Sequence, residues 1–429
     1  MKTQAKRYPL GTNRTAKTFA RLLLIFIAIT TTLLLSATLA EAQTEAVLYS
    51  FNNTQDLSEP VASLIVDHAG NFYSTAEGGG TNQWGGIFEL SPPAAKGGSW
   101  TESILYNFTG GIDGALPEAG LVMDASGALY GTTAYGGTGA GVIFQLSPPS
   151  KQGDAWTETV LYTFTNGSDG GGPTSTLIFD KIGNLYGTAH TAGASRGGVV
   201  FELTPPATGN SIWSYNVIHN FTSQPKSAGA YAPYAGLVAG PKGSFYGTTT
   251  AGGANNGGVV FKLAPPTNGQ GKWVETVLHA FNSIGDGTIP QASLVAGKGG
   301  IMFGTTLGGG SSGLGTVYEL TPPTTEGGSW TESVLHSFGT DASSPTSPVT
   351  LTSGGTLYGT VAKGGANYGG ILFKLTPPLV SGDPWVETTL FSFPSYINPS
   401  GLSLVNGALY GTSEFGGTDD YGTVYELSF

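Results

Sequence analysis

The chain has 429 residues, of which 69 are glycine, none is cysteine and only 10% are charged, with a formal net charge of −11. The lack of cysteine excludes disulfides, thiol nucleophiles, a lipidated cysteine and Cys-ligated zinc, and the acidic balance argues against nucleic acid or anionic lipid as partner. With 39% hydrophobic and 11% aromatic residues the chain is no disordered tail, and it can build a large core without covalent staples.

At the N-terminus, six basic residues (Lys2, Lys6, Arg7, Arg14, Lys17, Arg21) precede an apolar run from Leu22 to Leu39, followed by Ala40-Glu41-Ala42. A basic start, an apolar stretch and a small-residue cleavage site read as a secretory signal peptide over residues 1–42. Its removal shifts the formal charge from −11 to −16. The expectation is an exported protein, secreted or periplasmic, with no membrane segment once the signal is cleaved.

Residues 43–429 read as one domain of seven repeats. Each carries an aromatic followed by Gly-Thr or Ser-Thr. The aromatics are Tyr73, Tyr130, Tyr186, Tyr246, Phe303, Tyr358 and Tyr410, spaced by 57, 56, 60, 57, 55 and 52 residues. A fixed period of this length means a solenoid, a propeller or an array. Within a repeat the apolar stretches are short, rich in β-branched and aromatic residues, and separated by glycine and proline, so each repeat predicts four strands. In the second copy these are Gly120–Met123, Ala128–Thr133, Gly141–Leu146 and Trp156–Phe164, termed A to D from here on. Asp124 to Gly127 turns A into B, and Pro148-Pro149 ends C because proline donates no ladder hydrogen bond.

Strand D repeats a tryptophan eight residues before a phenylalanine, as in Trp100 and Phe108. An even offset predicts that both lie on one face, with the Val or Ile between them. The array starts with a D-type strand, Glu45–Phe51, and stops after a C-type strand, Gly422–Leu427. Six complete sets and three further strands lie between. The surplus and the deficit match if the first strand completes the last blade. The predicted fold is therefore all-β, a seven-bladed β-propeller of four-stranded antiparallel blades closed by the N-terminal strand.

The unit x-Leu-Tyr-Gly-Thr-Thr-x-x-Gly-Gly, a variable loop, then Gly-x-Val-Phe-x-Leu-x-Pro-Pro resembles the GloVer repeat of exported bacterial choice-of-anchor tandem-repeat proteins. The resemblance covers residues 45–429. It implies export and a propeller-like array, and it brings no activity and no catalytic residues. Members are named for varied C-terminal anchors, whereas this chain stops at Phe429 after a C strand, so a free rather than anchored protein is expected.

A residue present in every copy serves architecture first. His219, His279 and His336 share a column with Tyr49, Tyr106, Tyr162 and Phe391, which calls for a flat ring. The strand-D glutamates (45, 102, 158, 275, 332, 387) read as structural, or as solvent-facing charges that protect an edge. Asp56, Asp113, Asp169, Asp286 and Asp341 begin Asp-Gly-type turns. As weak metal candidates they would form a carboxylate ring at the channel mouth suited to Ca²⁺. No motif names a cofactor, and none is expected.

Function is then sought where the repeat breaks, on the face carrying the B–C and D–A loops. The column before the B–C Gly-Gly holds Glu77 and Glu414, on blades that become neighbours on closure. They are the weak catalytic candidates, as an acid–base pair of an inverting glycosidase. Trp84, Tyr135, His190, Arg196, Tyr368, Phe415, Asp419 and Tyr421 are the ligand-binding candidates, since aromatics with a few polar groups suit a sugar or a protein. The leading expectation is a monomeric, non-enzymatic binding or scaffold protein for a glycan or protein. A polysaccharide hydrolase or lyase and a purely structural envelope protein are the alternatives.

Overall fold

The computed structural model describes residues 44–428 except 53–55, 96, 152, 208–211, 224–228, 270, 283–284, 326, 381 and 395–396. Residues 1–42, expected from the sequence to be a signal peptide, lie outside the described residues. Seven four-stranded antiparallel sheets form the blades of a propeller. In blade 2 the strands are Val122–Met123, Leu129–Thr133, Val142–Ser147 and Thr157–Thr163. Strand A pairs over only two residues, shorter than its sequence suggests. In blade 7 the order runs Pro399–Val405, Ala408–Ser413, Thr423–Ser428 and then Thr44–Ser50. The first strand thus supplies the outer edge of the last blade, and Phe51 N–H donates to the Gly422 carbonyl at 3.0 Å. Among the described residues no helix is long and apolar enough to cross a membrane.

Each letter of the repeated tag has a physical reason. The aromatic packs on the neighbouring blade's tryptophan, as Tyr130 does on Trp213 at 6.1 Å between ring centroids. The glycine lies directly opposite a strand-C ring. A Cβ on Gly187 would come within 2.6 Å of Phe201 Cζ, and one on Gly247 within 2.6 Å of Phe261 Cζ. The threonine is the staple of the ring. In every blade its hydroxyl donates to a carbonyl at the start of the next blade: Thr75 to Ala119, Thr188 to Ala235 and, across the closure, Thr412 to Ala62. All but the part-buried bond of Thr360 are buried, where a lost partner is costly.

Two expectations are corrected. Trp100 and Phe108 lie on opposite faces of their sheet: Trp100 packs with Phe72 and Phe88 against blade 7, whereas Phe108 packs with Phe144 of blade 2. The cause is a β-bulge. Ile104 pairs with Phe88 and Tyr106 with Ile87, so Leu105 is an extra residue that reverses the alternation. The same shift recurs in blades 2 to 6. One outer strand therefore fills the junctions on both sides of its blade.

The strand-D glutamates are not solvent-facing edge charges. Glu102 sits in the junction with blade 7, beside Tyr49 and Asp56, and burial followed by the charge of Asp56 pushes it up to about 8. Glu158 and Glu332 are pushed up to about 7 by the same two causes in their own junctions, from Asp113 and Asp286. The histidine column does want a flat ring. His219, His279 and His336 meet Phe221, Phe281 and Phe338 edge to face at 4.6 to 4.8 Å.

Candidate functional site

Before each strand A the chain turns into the centre of the ring through a proline. The seven residues that precede these prolines, Glu59 to Asn398, all have φ between 48° and 66°. For Leu116 and the β-branched Ile289 this left-handed conformation costs on the order of 1 kcal/mol. Hydrogen bonds on both sides hold it. Glu59 N–H donates to the Tyr421 carbonyl of blade 7, and the Glu59 carbonyl accepts from Glu77 N–H. In the next blade Leu116 does the same with Trp84 and Ala134. The loops of neighbouring blades are thus sewn together around the channel mouth, and the column containing Glu77 and Glu414 is fixed there.

The residues after the prolines face a central cavity of about 360 Å³ to which all seven blades contribute. Its walls are small residues such as Ala62, Ala119 and Gly236. Glu77, Glu118, Glu414, Tyr234 and Asn398 also line it. No lysine or arginine lines it among the described residues. Glu77 is pushed up to about 7, first by burial and then by Glu118, Glu59 and Glu414. Glu59 is raised by burial and then by Glu414, and Glu118 by burial. The Asn398 side-chain amide donates to Glu414. On the other side, burial lowers the pKa of His190, whose Nδ1–H donates to the Gly172 carbonyl at 2.6 Å. A neutral ring with Nε2 unprotonated results. It lies against Tyr234 at 4.3 Å between centroids, and Tyr234 is raised by burial and then by Glu118.

The structure thus brings the two glutamates flagged in the sequence to one mouth, whereas His190 does not line the cavity and meets it only through Tyr234. The other loop candidates surround the mouth without lining the cavity. Trp84 is 44% exposed, Tyr135 54% and Tyr368 82%. Arg196, Asp419 and Tyr421 are exposed too, and Phe415 is half-buried. Arg196 and Tyr368 hold left-handed turn positions, with φ of 58° and 62°, that Gly139 and Gly313 occupy in other blades.

The aspartate column does not ring the mouth. Asp56, Asp113 and Asp169 accept from the hydroxyls of Tyr49, Tyr106 and Tyr162 at 2.9, 3.1 and 3.0 Å. Asp286 meets His279 at 3.1 Å, and the charge of Asp341 acts on His336 and Glu387. Asp56, Asp113, Asp169 and Asp286 each clamp a turn to their own outer strand, as Thr109 N–H to Asp113 shows, and none of the five lines the cavity. Glu59, Glu118, Tyr234 and Asn398 were missed in the sequence. The available signal was the pair of columns flanking the recurring proline, of which the following one reads Val61, Glu118, Thr174, Tyr234, Gln291, Thr346 and Ser400.

Solved structures with the same fold include an ulvan lyase of a new polysaccharide lyase family bound to -[GlcA(1-4)Rha3S]-. It has 11% identity and a TM-score of 0.52, covering 90% of this chain and 96% of that one. A second ulvan lyase structure gives 10% identity and 0.51 over the same shares. The extracellular domain of a hybrid two-component system from B. thetaiotaomicron gives 11% identity and 0.49, covering 89% of this chain and 39% of that one. At these identities the likeness to the two lyase structures is one of fold alone. No curated protein matches the sequence. The Gloeobacter/Verrucomicrobia repeat matches residues 33–232, 150–301 and 210–425, which between them take in the array, and the chain belongs to that repeat family.

Proposed function

We propose that this protein is an exported binding module that takes a polysaccharide without acid groups, amino-bearing sugars being favoured, at the loop-face mouth of its channel. The carrying observation is the convergence of Glu59, Glu77, Glu118 and Glu414 with Tyr234 and His190. All six come from columns that do not repeat, so the architecture does not call for them. Four carboxylates favour a cationic or hydroxyl-rich ligand and repel an anionic one. Trp84, Tyr135 and Tyr421 on the surrounding loops offer faces for sugar rings. Export rests on the basic, apolar and Ala-Glu-Ala segments of residues 1–42.

Cleavage of a uronate polymer by elimination fits this mouth poorly. The glutamates at the mouth repel the substrate's own carboxylate, and no lysine or arginine among the described lining offsets them. A glycoside hydrolase is the second reading, favoured by one observation. Glu77 is pushed up to about 7 and shares the cavity with a second glutamate, Glu414, which Asn398 holds in place, and a raised carboxylic acid near a second carboxylate is what such an enzyme needs.

Titration of chito-oligomers, neutral gluco-oligomers and uronate oligomers into wild type, Glu77→Gln/Glu414→Gln and Tyr234→Ala tests both readings. The expected result is binding of the first two ligands, none of the third, and at least a tenfold loss in both variants. Binding confined to uronates, or unchanged in the variants, overturns the proposal. New reducing ends that vanish in the double glutamine variant would convert it to the hydrolase reading.

A further inference from the structure

A different feature stands in the wall of the ring. Blade junctions are built on a recurring trio: a ring from one outer strand, the aspartate of the following turn, and a glutamate from the next blade's outer strand. In the junctions where the ring is Tyr49 or Tyr106, the phenol donates to Asp56 or Asp113, while Oε1 of the junction glutamate, Glu102 or Glu158, is buried without a hydrogen-bond partner. Between blades 4 and 5 the ring is His279, and its Nε2 lies 3.1 Å from Asp286 Oδ2. One atom each of His279, Asp286 and Glu332 lie within 4.8 Å of one another, the only such group of three among the described residues.

One atom of the trio and one hydroxyl beside it have no hydrogen-bond partner. Glu332 Oε1 is buried and accepts no hydrogen bond. The hydroxyl of Tyr318, a fully buried residue, also has none. The charges of Glu332 and Asp286 help to raise its pKa after burial, so it stands in their field. Phe88, Phe144 and Phe201 hold this strand-C position in blades 1 to 3; Tyr425 holds it in blade 7 with a hydroxyl that is likewise unpartnered, but there no three metal-binding side chains meet among the described residues.

We propose that His279, Asp286 and Glu332 bind one divalent transition-metal ion, with Zn²⁺ as the reference ion, in the junction between blades 4 and 5. An imidazole with two carboxylates is a hard-to-borderline donor set that suits Zn²⁺ and leaves a fourth position for water. Donors on one Zn²⁺ stand about 3.3 Å apart, from metal–ligand distances near 2.1 Å, and a set spanning 4.8 Å reaches this by small side-chain rotations. The ion would satisfy the Glu332 oxygen, and its water would give the Tyr318 hydroxyl a neighbour. The His279 side chain is 20% exposed, which leaves a way in. The tyrosine junctions cannot do this, because a neutral phenol is a poor ligand.

Untagged protein, stripped with chelator, is equilibrated with Zn²⁺ or Mg²⁺ and passed over a desalting column. Retained metal and melting temperature are then measured. The expected result is close to one Zn²⁺ per chain, a higher melting temperature in Zn²⁺ only, and loss of both in His279→Tyr. That variant carries the ring used at the same column by Tyr49, Tyr106 and Tyr162, so its melting in chelator should match wild type. His336→Tyr should retain the ion. No retention by wild type, or equal retention by His279→Tyr, overturns the proposal. Should His279→Tyr not fold, Glu332→Gln is the second variant, expected to bind at least tenfold more weakly, and unchanged affinity there overturns the proposal as well.

Discussion

Glu102, in the wall between blades 7 and 1, and Glu77, at the channel mouth, are both carboxylic acids pushed far above their ordinary 4.5, to about 8 and about 7. Burial is the first cause in both, yet their surroundings differ. Glu102 answers to one other carboxylate, Asp56, and the same pairing recurs at Glu158 and Glu332. Glu77 answers to three, Glu118, Glu59 and Glu414, and its column is alanine, threonine or leucine in four other blades. A shifted pKa alone therefore does not mark a functional group. In this molecule the wall glutamates belong to construction, and the mouth glutamates are the ones that construction does not require.

The sharpest way to break that division is to remove the wall. Deleting residues 44–51 takes the outer strand from blade 7, with Phe51 from the junction with blade 1, and leaves the edge of Thr423–Ser428 unpaired. The expected outcome is loss of cooperative melting and aggregation, read by calorimetry and light scattering. A soluble deletion with unchanged melting would show that closure contributes nothing. Next in size is Gly187→Ala, whose new Cβ would stand 2.6 Å from Phe201 Cζ and 2.8 Å from Leu177 Cδ2. Overpacking of this kind costs about 1–3 kcal/mol, measured by denaturant unfolding. Thr188→Val, which removes the bond to the Ala235 carbonyl, should cost about 1 kcal/mol. Sugar binding by both folded variants should stay at the wild-type level.

The wall was far more legible in the sequence than the mouth, and the reasons are physical. Seven tags with a surplus outer strand at one end set the blade count and the closure, because strand pairing is all or nothing at an edge. The bulge at Leu105 was hidden, since an extra residue in a run of apolar side chains leaves no mark on composition. That single residue sends Trp100 and Phe108 into different junctions. The direction of the Glu102 column was hidden for a related reason: charge in an outer strand reads as an exposed edge unless the next blade is known to cover it. At the mouth, Glu77 and Glu414 stood out as breaks in a column, whereas Glu118 and Tyr234 followed an invariant proline and looked like turn residues.

The smallest expected effects separate the two classes of glutamate most cleanly. Glu102 has an ordinary value of 4.5 and a folded value of about 8, so the folded state keeps a proton that the unfolded state releases. Its contribution to stability is full below about pH 4.5 and is lost as pH rises through 8. Glu102→Gln should melt like wild type at pH 5 and above it at pH 9. Glu77→Gln should follow the same sign over a window that closes near pH 7, so stability alone does not tell them apart. Binding does. For a permanently charged ligand, such as a trimethylated chito-oligomer, ionisation of Glu77 adds a counter-charge at the mouth. Affinity in wild type should then rise severalfold from pH 6 to pH 8, by no more than about tenfold for each pKa unit the ligand shifts. The rise should persist in Glu102→Gln and flatten in Glu77→Gln. A flat profile in wild type, or one that Glu102→Gln alters as much as Glu77→Gln, would place both glutamates in a single class and remove the distinction between wall and mouth.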